Sequence, residues 1–157
     1  MQHIILIGLP GSGKTSAGQR LARRFCLPFV DADQVVEAQA GQSITSYFAQ
    51  HGEAAFREQE TATLRNILAA QGPCVLSTGG GAVLRAENRA LLKAGGTVVY
   101  LLAQPNAIYQ RLRNDTQRPL LQVADPRAKI KALFEERDAL YREIAHLVVE
   151  TGTNSLS

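Results

Sequence analysis

The stretch GLPGSGKT at residues 8–15 decides the fold class of this chain. It fits the pattern G-x-x-x-x-G-K-[ST], in which a glycine-rich loop wraps its backbone N–H groups around phosphate oxygens. The run HIILIG at residues 3–8 is apolar and β-branched, which predicts a buried strand. Residues 15–25 carry apolar side chains at helical spacing. Strand, glycine loop and helix in this order are the context that a phosphate-binding loop requires.

The residue types within the loop indicate how it binds a nucleotide. Gly8, Gly11 and Gly13 allow the positive φ angles and the close backbone approach that a phosphate needs. Lys14 brings a mobile positive charge to the β- and γ-phosphates, and the Thr15 hydroxyl can ligate Mg²⁺. The helix that follows presents its positive end to the same anion. The competing interpretation, a chance match in a glycine turn, is disfavoured by the flanking strand and helix.

Short β-rich runs alternate with helical patterns along the rest of the chain. The predicted strands lie at residues 3–8, 28–31, 74–77, 97–102 and 147–149. This alternation predicts an α/β fold of three layers, with a five-stranded parallel sheet flanked by helices on both faces. We expect a single domain over residues 1–157. Because ligands of such sheets bind at the carboxyl ends of the strands, site residues should follow the strands directly.

Two segments stand apart from the alternation. Residues 43–71 predict a helical insertion in which Ser43 caps one helix and Gly52 separates it from a second. The polar stretch RNDTQRPLLQVA at residues 113–124 predicts a mobile, arginine-bearing loop that could act as a lid over a nucleotide. A helix is then predicted to start at residues 125–126, where Asp can cap it and Pro fits its first position.

Composition narrows the class of partner. Thirteen of the seventeen basic residues are Arg and the formal net charge is only +3, so either a solvated basic surface or a small anionic ligand site is expected. No dense basic run marks a nucleic-acid face, and no apolar stretch approaches membrane-spanning length. Cys26 and Cys74 are isolated and are expected to be buried thiols of a reduced cytoplasmic protein. The apolar start runs straight into the glycine loop, so no signal peptide is expected.

The second predicted strand ends in FVDAD, which places two carboxylates where a ligand should bind. Asp31 and Asp33 are two residues apart and would point to the same side of an extended strand. One carboxylate there can hold the shell of a Mg²⁺ ion, and another can accept a hydroxyl proton. The competing interpretation is an Asp that only caps the next helix.

Two further patterns have both a structural and a functional interpretation. Arg57 and Glu60 lie three residues apart on a predicted helix, where they form either a surface ion pair of little energetic value or part of a site. The glycines at residues 79–81 follow the third strand. Three consecutive glycines weaken regular structure, so they indicate either close approach of a ligand to bare backbone or a plain loop.

Together these segments resemble the shikimate kinase family over nearly the whole chain. Six motifs carry the resemblance, in chain order: GLPGSGKT, D-x-D at Asp31 and Asp33, F-R-x-x-E at Phe56, Arg57 and Glu60, S-T-G-G-G at residues 77–81, R-P-L-L at 118–121, and R-x-x-x-Y at Arg137 and Tyr141. The resemblance implies a P-loop kinase that transfers the γ-phosphate of ATP to the 3-hydroxyl of shikimate, in chorismate and aromatic amino acid biosynthesis. It also implies a substrate-binding insertion at about residues 33–60 and a lid at about 112–124.

The resemblance further implies a role for each matching residue. The ATP-binding set is Gly11, Ser12, Gly13, Lys14, Thr15, Ser16, Arg111 and Arg118. The shikimate-binding set is Asp33, Arg57, Gly79, Gly80, Gly81 and Arg137, in which the two arginines take the carboxylate. The catalytic set is Asp33 as proton acceptor, Lys14, and Arg118 reaching from the lid. Mg²⁺ is expected on Thr15 and, through water, on Asp31, while Arg111 matches the position that stacks on adenine.

The expected partners are therefore shikimate and ATP, bound by a monomer in the cytoplasm without nucleic acid or membrane. The alternatives are a gluconate kinase or a nucleoside monophosphate kinase, which share the loop and sheet, and a nucleotide-dependent regulatory switch. The two kinases should not need the D-x-D, F-R-x-x-E and triple-glycine motifs together. A switch predicts nucleotide-ordered segments and a partner surface, and does not predict two arginines and an Asp around a pocket for a small acid. The family usually continues into a final helix after the last strand, whereas this sequence ends TGTNSLS, so adenine contacts from such a helix are in question.

Overall fold

The computed structural model describes residues 2–113 and 124–151. Its centre is one sheet, with all strand pairs parallel in the order β2-β3-β1-β4-β5. The strands are β1 (His3–Ile7), β2 (Phe29–Asp31), β3 (Val75–Ser77), β4 (Gly96–Ala103) and β5 (Leu147–Thr151). The predicted α/β fold with a five-stranded parallel sheet is confirmed, and the strand ends differ from those expected by no more than two residues.

Helices cover the two faces of the sheet. They are α1 (Lys14–Phe25), α2 (Ala32–Ala40), α3 (Ile44–Ala69), α4 (Ala86–Gly95), α5 (Pro105–Leu112) and α6 (Pro126–Ile144), with a short 3₁₀ turn at Ala82–Leu84. The alternation of side chains in β1 divides the core. Ile5 and Ile7 pack in the larger apolar cluster, whereas Leu6 packs with Ala22 of α1 on the opposite face.

The helix boundaries follow the signals in the sequence. The Ser43 side chain accepts a hydrogen bond of 3.1 Å from the Ser46 N–H and so caps α3. Gly52, with a φ of 87°, interrupts α3 and separates its two helical halves as predicted. Asp125 caps α6 in the same way, through a 3.1 Å bond from the Ala128 N–H. The helical insertion predicted for residues 43–71 is therefore confirmed.

The two cysteines differ in their surroundings. Cys74 is buried before β3, and its N–H donates a 3.0 Å hydrogen bond to His3 Nδ1. Cys26, which was expected to be buried, is exposed. It ends α1 in a left-handed conformation with a φ of 55°, so the chain turns there and carries the thiol away from the core. Among the described residues, no helix has the length and apolar character needed to cross a membrane.

Gly18 allows α1 to lie close to the sheet. A Cβ atom added at this buried position would overlap Phe29 Cε1 and would lie 3.0 Å from Phe29 Cδ1 and 3.2 Å from Leu6 Cδ1. Helix α1 can therefore approach β1 and β2 only because residue 18 has no side chain. This close seating fixes the N-terminus of α1 directly after the glycine loop.

We predict that Gly18→Ala destabilises the protein by about 1–2 kcal/mol, because overpacking against Phe29 outweighs the better helix propensity of alanine. Urea unfolding of the variant measures this change. Gln19→Ala, at the exposed neighbouring position, is the control and should alter the free energy of unfolding by less than about 0.5 kcal/mol. A stabilised Gly18→Ala variant would contradict the packing argument.

Candidate active site

A cleft of about 550 Å³ opens at the carboxyl ends of β1, β2 and β3. The predicted residues that line it are Gly11, Gly13, Lys14, Thr15, Ser16, Asp31, Asp33, Gly79, Gly80 and Arg111. Residues from four separate stretches of sequence thus meet where a parallel sheet is expected to bind its ligand. Arg118, and most of the lid predicted at about residues 112–124, lie outside the described residues.

The glycine loop has the conformation that a phosphate site needs. Gly8, Gly11 and Gly13 have φ angles of 150°, 84° and 99°, values that other residues rarely adopt. The Lys14 ammonium donates hydrogen bonds of 2.6 Å and 3.0 Å to the carbonyls of Gly8 and Leu9. The lysine is therefore held over the loop, at the N-terminus of α1, where positive charge from the helix also accumulates.

Two side chains from distant parts of the chain brace this loop. Arg111 Nη1 donates a 2.8 Å hydrogen bond to the Gly11 carbonyl. The hydroxyl of Thr151, the last residue of β5, donates a 3.1 Å hydrogen bond to the Ser12 carbonyl. Sequence reasoning placed Arg111 near the nucleotide but missed Thr151. Nothing local to Thr151 points to this contact, because it depends on the pairing of β5 with β4.

Asp31 and Asp33 do not share one face of an extended strand, and that prediction is wrong. Strand β2 ends at Asp31, and Asp33 is already the second residue of α2. Asp31 Oδ1 accepts hydrogen bonds from the N–H groups of Asp33 (3.0 Å) and Gln34 (3.4 Å), so it caps the helix. The capping role considered for one Asp of this pair thus belongs to Asp31, because a carboxylate at the strand end satisfies N–H groups in the first turn of α2. Both side chains still line the cleft.

Asp33 has an electrostatic environment unlike that of a surface carboxylate. Burial is the main reason that its pKa rises from 3.8 to about 6, and the negative charge of Asp31 adds to the rise. The positive charge of Lys14 acts in the opposite direction. A carboxylate with a pKa near 6 is ionised at neutral pH yet is basic enough to accept a proton.

A smaller cavity of about 150 Å³ adjoins the cleft. It is lined by Asp33, Ile44, Phe48, Phe56, Arg57, Glu60 and the glycines at residues 79–81. Phe48 and Phe56 pack with their ring centroids 4.8 Å apart and supply an apolar wall. Opposite charges and apolar surface in one small space suit a compact polar molecule with one hydrophobic face. The sequence reasoning did not identify Phe48, whose helical spacing is equally typical of an ordinary core residue.

Arg57 and Glu60 are not a surface pair. Their side chains join through a 2.9 Å ion pair between Nη1 and Oε1, and they are only 13% and 2% exposed. Arg57 Nε and Glu60 Oε2 are buried and have no hydrogen-bond partner in the described part of the chain. Burial raises the pKa of Glu60, and the Arg57 guanidinium limits that rise. Buried polar atoms without partners are costly, which is typical of a site prepared for a polar ligand.

Each glycine of residues 79–81 faces a different obstacle. An added Cβ would lie 2.7 Å from Asp33 Oδ1 at Gly79 and 2.7 Å from Pro10 Cδ at Gly80. At Gly81 it would overlap the Arg57 guanidinium. None of the three is among the positive-φ glycines of the described residues, so space rather than backbone conformation requires them. The expected close approach to bare backbone is made, in this structure, by the side chains of the site itself.

Arg137 and Tyr141, from α6, both approach the loop of residues 79–81. The Tyr141 hydroxyl donates a 2.6 Å hydrogen bond to the Gly80 carbonyl. Arg137 Nη1 lies 3.4 Å from the point where a Cβ on Gly80 would stand, and its Nε is 3.2 Å from Glu136 Oε1. The structure therefore places Arg137 next to Gly80, at the edge of the site where α6 packs against residues 79–81.

A buried polar network holds the backbone that directly follows residues 79–81, and sequence reasoning missed it. Asn88 is fully buried and donates a 3.0 Å hydrogen bond from Nδ2 to the Ala82 carbonyl. The hydroxyl of Thr61 donates in turn to Asn88 Oδ1 at 2.7 Å and so ties α3 to α4. Polar residues within predicted helices give no sequence signal that separates such a network from a solvated surface.

Comparison with known proteins agrees with this geometry. The family model described as shikimate kinase matches residues 10–156. A shikimate kinase from Paracidovorax citrulli is 51% identical and is aligned over 96% of this chain and 84% of its own length. One from Cupriavidus pinatubonensis is 48% identical over 99% of this chain and 80% of its own length.

Solved structures give the same result. The shikimate kinase from Acinetobacter baumannii, in complex with shikimate, has a TM-score of 0.93 and 41% identity, covering 99% of this chain and 86% of that chain. A gluconokinase from Sinorhizobium meliloti has a TM-score of 0.64 at 19% identity over 98% of this chain and 84% of that one, which shows a shared fold only. Since the family model spans nearly the whole chain and the relatives match about half of its residues, the chain belongs to the shikimate kinase family.

Proposed function

We propose that this protein transfers the γ-phosphate of ATP to the 3-hydroxyl of shikimate, in the biosynthesis of chorismate and the aromatic amino acids. One observation carries the proposal most directly: Asp33 lines both the phosphate-loop cleft and the small cavity that contains Arg57. A carboxylate at this junction would stand between a triphosphate bound in the cleft and an acceptor bound in the small cavity. The membership of the family supports the same reaction.

The acceptor side of the site suits a hydroxylated carboxylic acid. Arg57 Nε has no partner in the described part of the chain, and a guanidinium binds a carboxylate with strong, directional hydrogen bonds. We assign Arg57 and Arg137 to the carboxylate of shikimate, with the backbone of residues 79–81 beside the ring. Ile44, Phe48 and Phe56 would cover one ring face.

The position of Asp33 supports the following course for the reaction. The 3-hydroxyl oxygen of shikimate attacks the γ-phosphorus, the bond from that phosphorus to the β,γ-bridging oxygen breaks, and ADP leaves. The hydroxyl proton passes to the Asp33 carboxylate. The pKa of about 6 keeps that carboxylate ionised at neutral pH and supports its role as the base.

Charge neutralisation and positioning supply most of the remaining catalysis in phosphoryl transfer. Lys14 and the N-terminus of α1 offset the negative charge of the phosphates, and we assign Arg118 to the same task from the lid. We further assign the Ser12 and Ser16 positions and the backbone of Gly11 and Gly13 to the phosphates, and Arg111 to the adenine.

The residues present also fit a Mg²⁺ ion that is bound together with ATP. Thr15 offers a hydroxyl at the start of α1, and Asp31 lines the same cleft while its Oδ1 caps α2. Within residues 2–113 and 124–151, no group of three His, Cys, Asp or Glu side chains could hold a metal. One hydroxyl from Thr15 and one carboxylate from Asp31 suit Mg²⁺, because this ion keeps waters and substrate phosphates as ligands and does not need an all-protein cage. The ion would neutralise charge that develops on the transferring phosphoryl group.

We also infer that residues of about 33–60 form the acceptor-binding part, that about 112–124 form the lid, and that the protein works as a monomer in the cytoplasm. Both cysteines are free thiols, which supports a reducing compartment. The proposed activity is tested by ADP release from MgATP with and without shikimate. Gluconate and nucleoside monophosphates, offered in the same assay, test the alternative acceptors. If neither shikimate nor any of these compounds stimulates ADP release, the kinase role is contradicted.

Lys14→Ala should reduce turnover to below about a tenth of the wild-type rate, a loss of more than ~1.4 kcal/mol in transition-state stabilisation. The coupled ADP assay at saturating substrates measures the effect. Lys93→Ala removes an exposed lysine from α4 and should leave the rate unchanged. A Lys14→Ala variant that keeps more than a tenth of the rate would show that the glycine loop does not act on the transferred phosphate.

Asp33→Asn should lose most of its turnover, yet it should be more stable than the wild type at neutral pH. The folded pKa of about 6 lies above the ordinary 3.8, so the ionised carboxylate destabilises the folded protein. That destabilisation is absent below about pH 4 and complete above about pH 6, where its removal should add about 1–3 kcal/mol.

Urea unfolding of wild type and Asp33→Asn between pH 4 and pH 8 tests this behaviour, without nucleotide or metal. The stability difference should grow through the interval that ends near pH 6. Glu58→Gln, at a carboxylate that is 74% exposed, is the control and should show no such growth. Weakened ATP binding with unchanged saturated turnover would instead make Asp33 a metal-binding or structural residue.

Leucine at Arg57 or Arg137 should raise the Michaelis constant for shikimate roughly tenfold or more, about 1.4 kcal/mol, and change that for ATP much less. Steady-state kinetics with each substrate varied in turn measures both constants. Arg65→Leu is the matched control, because Arg65 lies on the same helix as Arg57 and pairs with Glu87 at the surface. A shikimate analogue without the carboxylate should lose little further affinity in the variants. Phosphorylation of that analogue as efficiently as shikimate would contradict the assignment.

A further inference from the structure

The hydroxyl of Tyr141 lies at a junction to which the proposed reaction gives no role. It donates a 2.6 Å hydrogen bond to the carbonyl of Gly80, in the middle of the loop of residues 79–81. The Tyr141 side chain is fully buried, so water does not compete for this contact. A phenolic oxygen can donate one hydrogen bond and can accept another. Its donor is committed to Gly80, and its lone pairs can serve a second group.

The Arg137 guanidinium is the charged group beside this hydroxyl. Burial raises the pKa of Tyr141, whereas the nearby positive charge of Arg137 opposes the rise. Arg137 Nη1 is also 3.4 Å from the Cβ position of Gly80. Arg137 and Tyr141 are four residues apart within α6, so the helix itself fixes their spacing. The Tyr141 hydroxyl therefore binds Gly80, and an arginine that we assign to the acceptor lies close to the same residue.

We propose that Tyr141 is a positioning residue that holds the Arg137 guanidinium and the Gly80 peptide in a fixed relation, so that both meet the carboxylate end of the acceptor correctly. The inference rests on the proposed function, because that function assigns Arg137 to the carboxylate.

The physical reason lies in the geometry of the guanidinium fork. A two-bond contact with a carboxylate depends on the orientation of the fork plane as well as on its distance. Glu136 contacts Nε from outside, at 3.2 Å. The neighbouring Tyr141 hydroxyl, which is itself fixed on Gly80, restricts the rotation of the group. Without the hydroxyl, Arg137 keeps its charge and loses its fixed plane.

The chain offers a matched control in Tyr100, a second buried tyrosine. The rings of Tyr100 and Tyr141 pack with centroids 4.8 Å apart. The Tyr100 hydroxyl donates a 2.7 Å hydrogen bond to Asp138 Oδ1, so its contact is with a side chain of α6 and not with the glycine loop. Tyr141→Phe and Tyr100→Phe each remove one hydroxyl and one hydrogen bond from the same stacked pair.

The test compares the steady-state kinetics and melting temperatures of the two variants with those of the wild type. Tyr141→Phe should raise the KM for shikimate about fivefold, the effect of one lost hydrogen bond. The KM for ATP should stay within about twofold, and the melting temperature should match that of Tyr100→Phe. Tyr100→Phe should leave both Michaelis constants within about twofold of the wild type.

A double-mutant cycle then asks whether the effect passes through Arg137. Once Arg137→Leu has removed the guanidinium, adding Tyr141→Phe should lower kcat/KM for shikimate by less than about a further twofold, because the relation between the guanidinium and Gly80 is already lost. A full fivefold loss on top of Arg137→Leu would overturn the inference.

Two other results would also overturn it. One is an unchanged KM for shikimate in Tyr141→Phe; the other is an equal rise in both phenylalanine variants with equal losses of melting temperature, which indicates shared packing alone. A wild-type protein without shikimate-dependent ADP release would overturn the proposed function and this inference together. Normal wild-type activity with an unaffected Tyr141→Phe would overturn the inference alone.

Discussion

The candidate site depends on one packing constraint, the close approach of other parts of the protein to the backbone of residues 79–81. Pro10 from the phosphate loop, Asp33 from α2 and Arg57 from α3 each occupy the space that a side chain on this loop would take. The loop therefore lets the phosphate site, the proposed base Asp33 and the proposed carboxylate-binding Arg57 lie close together. Residues 79–81 have no side chains, so the surrounding groups pack directly against their backbone at the centre of the site.

Burial of charge is the second feature of the site, and it follows from the first. Close packing around the loop removes water from Asp33 and Glu60, which raises the pKa of each carboxyl group. Such burial opposes folding, since an ionised carboxylate loses hydration that one ion pair restores only in part. A parallel sheet with two apolar clusters can tolerate that cost, and the role of proton acceptor that we propose for Asp33 benefits from it.

The sequence predicts most of the fold, since the glycine loop, the apolar runs and the cap at Ser43 are local signals with local causes. It predicts the site less completely. The strand geometry predicted for Asp33 is wrong because β2 ends at Asp31, whose carboxylate caps the helix that contains Asp33. The bonds from Thr151 to Ser12 and from Asn88 to Ala82 could not be foreseen, because each depends on tertiary packing. The exposed Cys26 shows the same limit, since exposure there depends on where α1 ends.

The bond from Thr151 to the phosphate loop also has a consequence for the order in which the protein matures. Ser12 of the loop precedes its brace by 139 residues, and the brace comes from β5 at the edge of the sheet. During synthesis the loop is therefore made before its brace, which it receives only after β5 has paired with β4. We therefore expect nucleotide binding to be acquired late in folding, after the sheet is complete. Nucleotide affinity, measured on partly folded chains, would then report whether the far edge of the sheet has formed.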